Sequence, residues 1–263
     1  MKKTIIALMA LAGVATADTL EKLWSIDFTT LQREGNKVTI ESGDYEFTVW
    51  DGTLSSAGIT SNYTPPTSVN GNNRPGESIS RVHIVGDTGM TWGDDFAVEV
   101  VFTLPSNFDH HSNWPAIFNM YGNGNNDNLR FGPYVDITSY GVDGVSADAL
   151  PKPEQDWTSV TLTTGEAHTA LLYVVDGAVT LTIDGAVAAK ATLNTGYYTP
   201  STVIDNMLIG GHTGNNNGPV ANHGWNMDVT VSSLSMYKVV PEPATATLSL
   251  LALCGLAARR RRK

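Results

Sequence analysis

The sequence predicts an all-β protein built as a two-sheet antiparallel β-sandwich, and three observations point there. Between Asp18 and Val239 apolar and polar residues alternate with period two in short runs. Gly, Asn, Asp and Pro punctuate those runs. No part of that span carries the spacing of an amphipathic helix. Strands this short and numerous, with no helices between them, pack as two layers around one core.

The elements follow in order. Residues 37–41 and 45–50, joined by Ser42-Gly43-Asp44, predict a hairpin. Residues 55–76 are rich in Ser, Asn, Thr, Pro and Gly, have Tyr63 as their sole aromatic, and predict a long loop. Alternation resumes in strands over 78–85, 95–104, 116–121 and 128–137. The clearest stretch is 167–193, where Asp176-Gly177 and Asp184-Gly185 each sit between β-rich runs. Asp-Gly tolerates the positive φ angles of a type I′ turn, so the two dipeptides predict a three-stranded meander. Residues 202–209 and 227–238 supply the last strands.

Charge narrows the partners. The 263 residues hold 16 Lys and Arg against 26 Asp and Glu, a formal charge of −10. Seven of the basic residues lie at the two ends; removing them, and Glu242 in the tail, leaves nine basic residues against 25 acidic ones, or −16. Nucleic-acid binding needs clustered cations for phosphate neutralisation, so that class is excluded.

Both ends read as addresses. Met1-Lys2-Lys3, an apolar run over 5–14 and Ala15-Thr16-Ala17 form a secretory signal peptide over 1–17, cut by signal peptidase before Asp18. Val240-Pro241-Glu242-Pro243 is followed by an apolar stretch over 244–258 and then Arg259 to Lys263. Fifteen residues at 1.5 Å each reach only about 22 Å, a marginal membrane helix with its basic end on the cytoplasmic side. This tail, 240–263, resembles the PEP-CTERM sorting signal of Gram-negative bacteria. The resemblance implies recognition by an exosortase, cleavage near Pro241, Glu242 and Pro243, and delivery to the cell surface or an extracellular polymer matrix. The membrane is then a partner only through that helix before processing. The lone Cys254 lies inside the removable helix, so the mature chain has neither disulfide nor thiolate chemistry.

Residues 168–177 and 179–185 (HTALLYVVDG and VTLTIDG) form, with Leu208-Ile209-Gly210-Gly211, the early run DFAVEVVF from Asp95 and a closing strand ending in Tyr237, a pattern that resembles laminin-G-like, concanavalin A-type domains. The resemblance spans roughly Trp24 to Lys238 and implies a jelly-roll sandwich over 18–239 whose relatives bind glycans or proteins at a concave face or along edge loops. Hydrolases of that superfamily carry a Glu-x-Asp-x-x-Glu run, which places acid and nucleophile on one face of a strand. No such run occurs; the nearest approach is Asp94-Asp95 with Glu99.

Candidate site residues come from the loops. Aromatic faces stack on sugars while amides and carboxylates fix hydroxyls. Trp92, Trp114 and Trp225 each adjoin polar loop residues, whereas Trp24, Trp50 and Trp157 read as core or strand-end aromatics. With Asn125, Asp127, Arg130, His212 and Asn216 the loop tryptophans make up the expected ligand site. Asn123, Asn125 and Asp127 place hard oxygens at alternating loop positions, an arrangement open to calcium, although a plain hydrophilic loop explains it better. His110-His111 would point to opposite faces, and no zinc, nucleophile-elbow or phosphate-loop motif is present. The expectation is an exported bacterial cell-surface or matrix protein with a non-catalytic, carbohydrate-binding domain. The alternatives are a glycoside hydrolase or lyase with carboxylates gathered from separate strands, and a purely structural matrix protein.

Overall fold

Two Asp-Gly pairs set the most regular part of the molecule. In the computed structural model, which describes residues 19–33, 35–61, 82–106, 116–122, 127–132, 137–140, 162–193, 198–211 and 227–240, φ is 49° and 74° at Asp176 and Gly177 and 51° and 81° at Asp184 and Gly185. Both residues of each turn are left-handed, as type I′ requires. Three antiparallel strands result: β11 (Ala167–Val175), β12 (Ala178–Ile183) and β13 (Ala186–Thr192).

Twelve further strands complete the described chain: β1 (Thr19–Asp27), β2 (Lys37–Ser42), β3 (Tyr45–Trp50), β4 (Thr53–Ser55), β5 (Gly58–Thr60), β6 (Val82–Val85), β7 (Phe96–Thr103), β8 (Phe118–Gly122), β9 (Asn128–Phe131), β10 (Ile137–Tyr140), β14 (Ile204–Ile209) and β15 (Thr230–Val240). One sheet of eight strands runs β13-β12-β11-β7-β15-β5-β4, with β1 also paired to β15. The other, of seven, runs β10-β9-β8-β14-β6-β3-β2. The described chain holds no helix, and the architecture is the expected two-sheet antiparallel sandwich of jelly-roll type.

Alternation explains the layers. On β7, Phe96, Val98, Val100 and Phe102 enter the core; on β8 and β9, Phe118, Met120, Leu129 and Phe131 meet them. Trp24 is buried against Phe47, ring centroids 4.6 Å apart, and its Nε1 donates to the Thr88 carbonyl at 3.0 Å. The glycine of the Leu208-Ile209-Gly210-Gly211 segment has a packing reason. Gly210 has φ 74°, and a Cβ there would stand 1.9 Å from Ser61 Oγ and 2.7 Å from the Met227 carbonyl oxygen.

The structure corrects three strand expectations. The expected strand over 128–137 is two: β9 ends at Phe131 and β10, which begins at Ile137, pairs back antiparallel to it, residues 133–136 lying outside the described residues. β4 and β5 occupy the start of the expected loop; the rest of that loop lies outside the described residues. β1 went unread because its alternation begins directly behind the segment expected to be a signal peptide. The chain divides into two compact units, Lys22–Lys238 and a second of Met1–Glu21 with Val239–Lys263. Within the latter, Thr19 Oγ1 donates to the Val240 carbonyl at 3.2 Å.

Candidate functional site

The same alternation that fills the core turns every second side chain of the seven-stranded sheet outward. Because Phe118, Met120, Leu129, Phe131, Met207 and Ile84 pack inward, Asn119, Tyr121, Asn128, Arg130, Asn206 and His83 occupy the opposite face. Asn119 pairs in register with Arg130 on one side and Leu208 on the other. Leu208 pairs with His83, His83 with Trp50, and Trp50 with Lys37. One continuous row therefore crosses the sheet from β9 to β2.

Burial grades along that row. Lys37 is exposed, Trp50 and His83 are half-buried, and Asn119 and Arg130 are buried at 0% and 4% exposure. Lys37 Nζ lies 5.2 Å from the Trp50 ring centroid, a cation–π contact. His83 Nε2 is 3.0 Å from Asn206 Oδ1 and 3.3 Å from the Tyr121 hydroxyl. Asn206 Nδ2 donates to Asp205 at 2.5 Å, which leaves the amide oxygen facing the imidazole. An oxygen only accepts, so this network assigns a proton to Nε2.

Asn119 and Asn128 differ from these. Both side chains are buried, and neither the nitrogen nor the oxygen of either carboxamide has a hydrogen-bond partner. A buried polar group left unsatisfied costs about 1–3 kcal/mol, and such a group in a native protein requires an explanation.

Of the loop residues expected at the site, Trp92, Asp127 and Arg130 are described; Trp114, Asn123, Asn125, His212, Asn216 and Trp225 lie outside the described residues. Trp92 is corrected. It is 5% exposed, edge-on to Tyr198 with centroids 4.7 Å apart and 6.1 Å from Phe96, so its faces are spent on the core. Its Nε1 donates to Asp127 Oδ2 at 2.5 Å, and the Gly122 amide donates to Oδ1 at 3.3 Å. Burial pushes the Asp127 carboxyl above its ordinary 3.8, against the opposing effect of the Trp92 and backbone donors. With both oxygens on N–H donors, Asp127 is an acceptor that ties the Trp92 turn to Gly122; Asn123 and Asn125, with which it was expected to hold calcium, lie outside the described residues. Among the described residues no group of three His, Cys, Asp or Glu could hold a metal ion. Arg130 alone joins the outer face.

The carboxylates nearest to a hydrolase motif are also structural. Asp94 Oδ2 accepts from the Thr91 amide and hydroxyl at 2.8 Å each, closing a turn, and Asp95 accepts from the Asp176 amide at 2.8 Å. Glu99 lies on the other sheet and accepts from the Tyr237 hydroxyl at 3.2 Å. Burial first, then the adjoining Glu99 charge, pushes the Tyr237 phenol up to about 12, so it remains a neutral donor. Lys22 Nζ lies 5.3 Å from the centroid of the Tyr237 ring.

Sequence reasoning missed Asn119, His83, Tyr121 and Asn206. They sit inside strands, and a search confined to loops passes over them; the available signal was that Asn119 and His83 are each a polar residue between two core apolar ones.

The PEP-CTERM protein-sorting motif matches residues 239–263. No curated protein matches the chain. Among solved structures it is similar to the Trypanosoma rangeli sialidase in complex with 2,3-difluorosialic acid, at 12% identity and TM-score 0.49 over 83% of this chain and 31% of that one. It is also similar to the Emp47p carbohydrate recognition domain, at 11% identity and TM-score 0.46 over 87% of this chain and 100% of the other. The endo-1,3-beta-glucanase from Streptomyces sioyaensis aligns at 13% identity and TM-score 0.43, over 88% and 100%. The chain thus spans about a third of the sialidase, and at these identities and scores none of the three transfers a site. The sheets and the motif carry the assignment: this is a two-sheet β-sandwich protein bearing a PEP-CTERM protein-sorting motif that marks it for export to the cell envelope.

Proposed function

We propose that the protein is an exported, non-catalytic glycan-binding module that holds polysaccharide on the outer face of its seven-stranded sheet. The observation that carries this reading is the pair of buried, unpartnered carboxamides of Asn119 and Asn128 on that face. A carboxamide donates and accepts at once, which matches the vicinal hydroxyls of a sugar. Arg130 adjoins them, and Trp50 offers a half-buried aromatic on the same row. Trp114 and Trp225, with Asn125, His212 and Asn216, are the loop residues that contribute to ligand binding in this reading. Signal peptidase cuts before Asp18, an exosortase cuts near Pro241 to Pro243, and the released 18–239 domain meets its ligand outside the inner membrane.

Glycan-array binding by the full chain tests the reading. Asn119→Leu is expected to remove binding, and Trp114→Ala and Trp225→Ala to weaken it; binding unchanged in all three refutes the site. One observation favours a second reading, a lyase. His83 and Tyr121 are two proton-transfer groups 3.3 Å apart on the same face. New reducing ends released from polysaccharide by the wild type, and not by Tyr121→Phe, would establish that reading instead.

A further inference from the structure

We infer that the exosortase cut falls at the Pro243–Ala244 bond, so that the whole Pro-Glu-Pro motif stays on the released chain. The inference rests on the exosortase reading above and fixes the bond within it.

Fold and sorting motif overlap. The motif matches residues 239–263, while the last strand, β15, runs to Val240. Val239 and Val240 therefore belong to both. β15 passes Lys238, which pairs with Phe96 of β7, and β1 pairs with it as well. Val239 is 2% exposed, and the Val240 carbonyl accepts from Thr19 Oγ1 at 3.2 Å. No linker separates the end of the strand from Pro241.

A strand end this closely joined to the motif limits the cut on one side. An enzyme that takes a peptide in extended form pairs the peptide backbone with its own cleft, as a strand added to an edge. The residues before the scissile bond must then be free of the fold. Chain held in a strand is cut only when it opens, whereas chain past the last strand needs no opening. A cut at Val240–Pro241 would attack the carbonyl that Thr19 holds. A cut at Pro241–Glu242 would draw Val239 and Val240 out of β15 and into the cleft. With the cut at Pro243–Ala244, the three residues before the bond are Pro241, Glu242 and Pro243, which all follow the strand.

Amide chemistry narrows the choice independently. Val240–Pro241 and Glu242–Pro243 are bonds before proline. Such a bond is a tertiary amide, and the proline ring crowds the residue before it, where a nucleophile has to approach. Pro243–Ala244 is an ordinary secondary amide. Bonds past Ala244 lie in the apolar stretch, where a helix in the bilayer pairs its own amides away from water. Three residues reach at most about 11 Å, so a cut after the third lies at the edge of that stretch and as far from the sandwich as the motif allows. Hydrolysis there breaks the bond from the Pro243 carbonyl carbon to the Ala244 nitrogen. Water gives its hydroxyl to that carbon and a proton to the Ala244 amine.

The full chain is produced in a bacterium that carries an exosortase, and the C-terminal peptide of the released protein is sequenced by mass spectrometry. The expected peptide ends at Pro243. A peptide ending at any other residue overturns the inference and leaves exosortase processing standing. A chain found only in the membrane fraction and still carrying Lys263 overturns both. Ala244→Pro turns the inferred bond into one before proline, and proline is tolerated in the first turn of a helix, so the change probes the bond rather than the anchor. It is expected to lower the amount released tenfold or more. Release of this variant at the wild-type level overturns the inference.

Discussion

Asn119→Leu separates the cost of this residue from its use. Leucine preserves the branch at Cγ and replaces the two orphaned polar atoms with methyl groups. In the wild type those atoms are fully buried and unpartnered, so folding strips water from the amide and returns nothing, a penalty of about 1–3 kcal/mol. The added methyl bulk opposes part of the gain, at about 1 kcal/mol, because the side chain is buried in close packing. The net expectation is a protein more stable by up to about 2 kcal/mol, or roughly 0–8 °C in Tm for a domain of this size, with no affinity for the glycan. Urea unfolding followed by tryptophan fluorescence measures the first quantity; the midpoint rises while the slope with denaturant is unchanged. Glycan-array binding measures the second. Destabilisation of about 1 kcal/mol or more would show that the carboxamide has partners in the folded chain, and the argument for a site on this face would fail with it.

Other perturbations read single contacts. Gly210→Ala would drive a Cβ to 1.9 Å from Ser61 Oγ at a φ of 74° and is expected to destabilise by roughly 2–4 kcal/mol in the same unfolding assay. Trp92→Phe removes the donor to Asp127 Oδ2, a buried carboxylate, and is expected to cost about 2–3 kcal/mol; in Asp127→Asn background the loss should be smaller, and equal losses would refute the coupling. The His168–Asp184 pair gives a pH dependence. Burial lowers the imidazole pKa, but the hydrogen bond and charge of Asp184, 2.7 Å away, outweigh it and raise the value above 6.5; in Asp184 burial is outweighed in turn, and the carboxyl falls below 3.8. The His168 contribution is therefore complete below pH 6.5 and lost as pH climbs through the raised value, while that of Asp184 is present above 3.8 and lost as pH falls through the lowered one. Denaturation midpoints are expected to decline from mildly acid to alkaline pH and to flatten in Asp184→Asn, by less than about 1 kcal/mol because Asp184 is half exposed.

Much of the fold was legible because it rests on local rules. The two Asp-Gly turns announced the meander before any tertiary contact was known, and 45–50, 96–103 and 204–209 were visible as period-two runs. What misled was context. β9 and β10 share a pattern, so two strands that pair with each other looked like one long strand. Trp92 adjoins Gly93 and Asp94 in a turn, which suggested exposure; its ring instead fills the space beside Tyr198, because the turn is tied by Asp94 to Thr91 and aims the side chain inward. The outer-face site was illegible for a deeper reason. Asn119 and Arg130 are eleven positions apart and His83 is 36 before Asn119; only strand order and register make them neighbours.

The two outer faces share the same alternation and differ in how they satisfy polar groups. On the eight-stranded sheet Ser25 and Ser235 hydroxyls bond each other at 2.8 Å, Thr60 and Thr230 at 2.7 Å, and Tyr237 donates to Glu99. Cross-strand pairs of this kind complete the surface with the chain's own atoms. Among the described residues the buried carboxamides lacking partners belong to the seven-stranded sheet and none to the other. A fold with no disulfide in its sandwich lives on a net stability of about 5–15 kcal/mol, and two such amides draw about 2–6 kcal/mol from it. Leucine or valine at either position would relieve that draw without changing the alternation that builds the sheet. Folding alone therefore gives no reason for amides at these two places, whereas the proposed ligand, which donates and accepts hydrogen bonds, would give one.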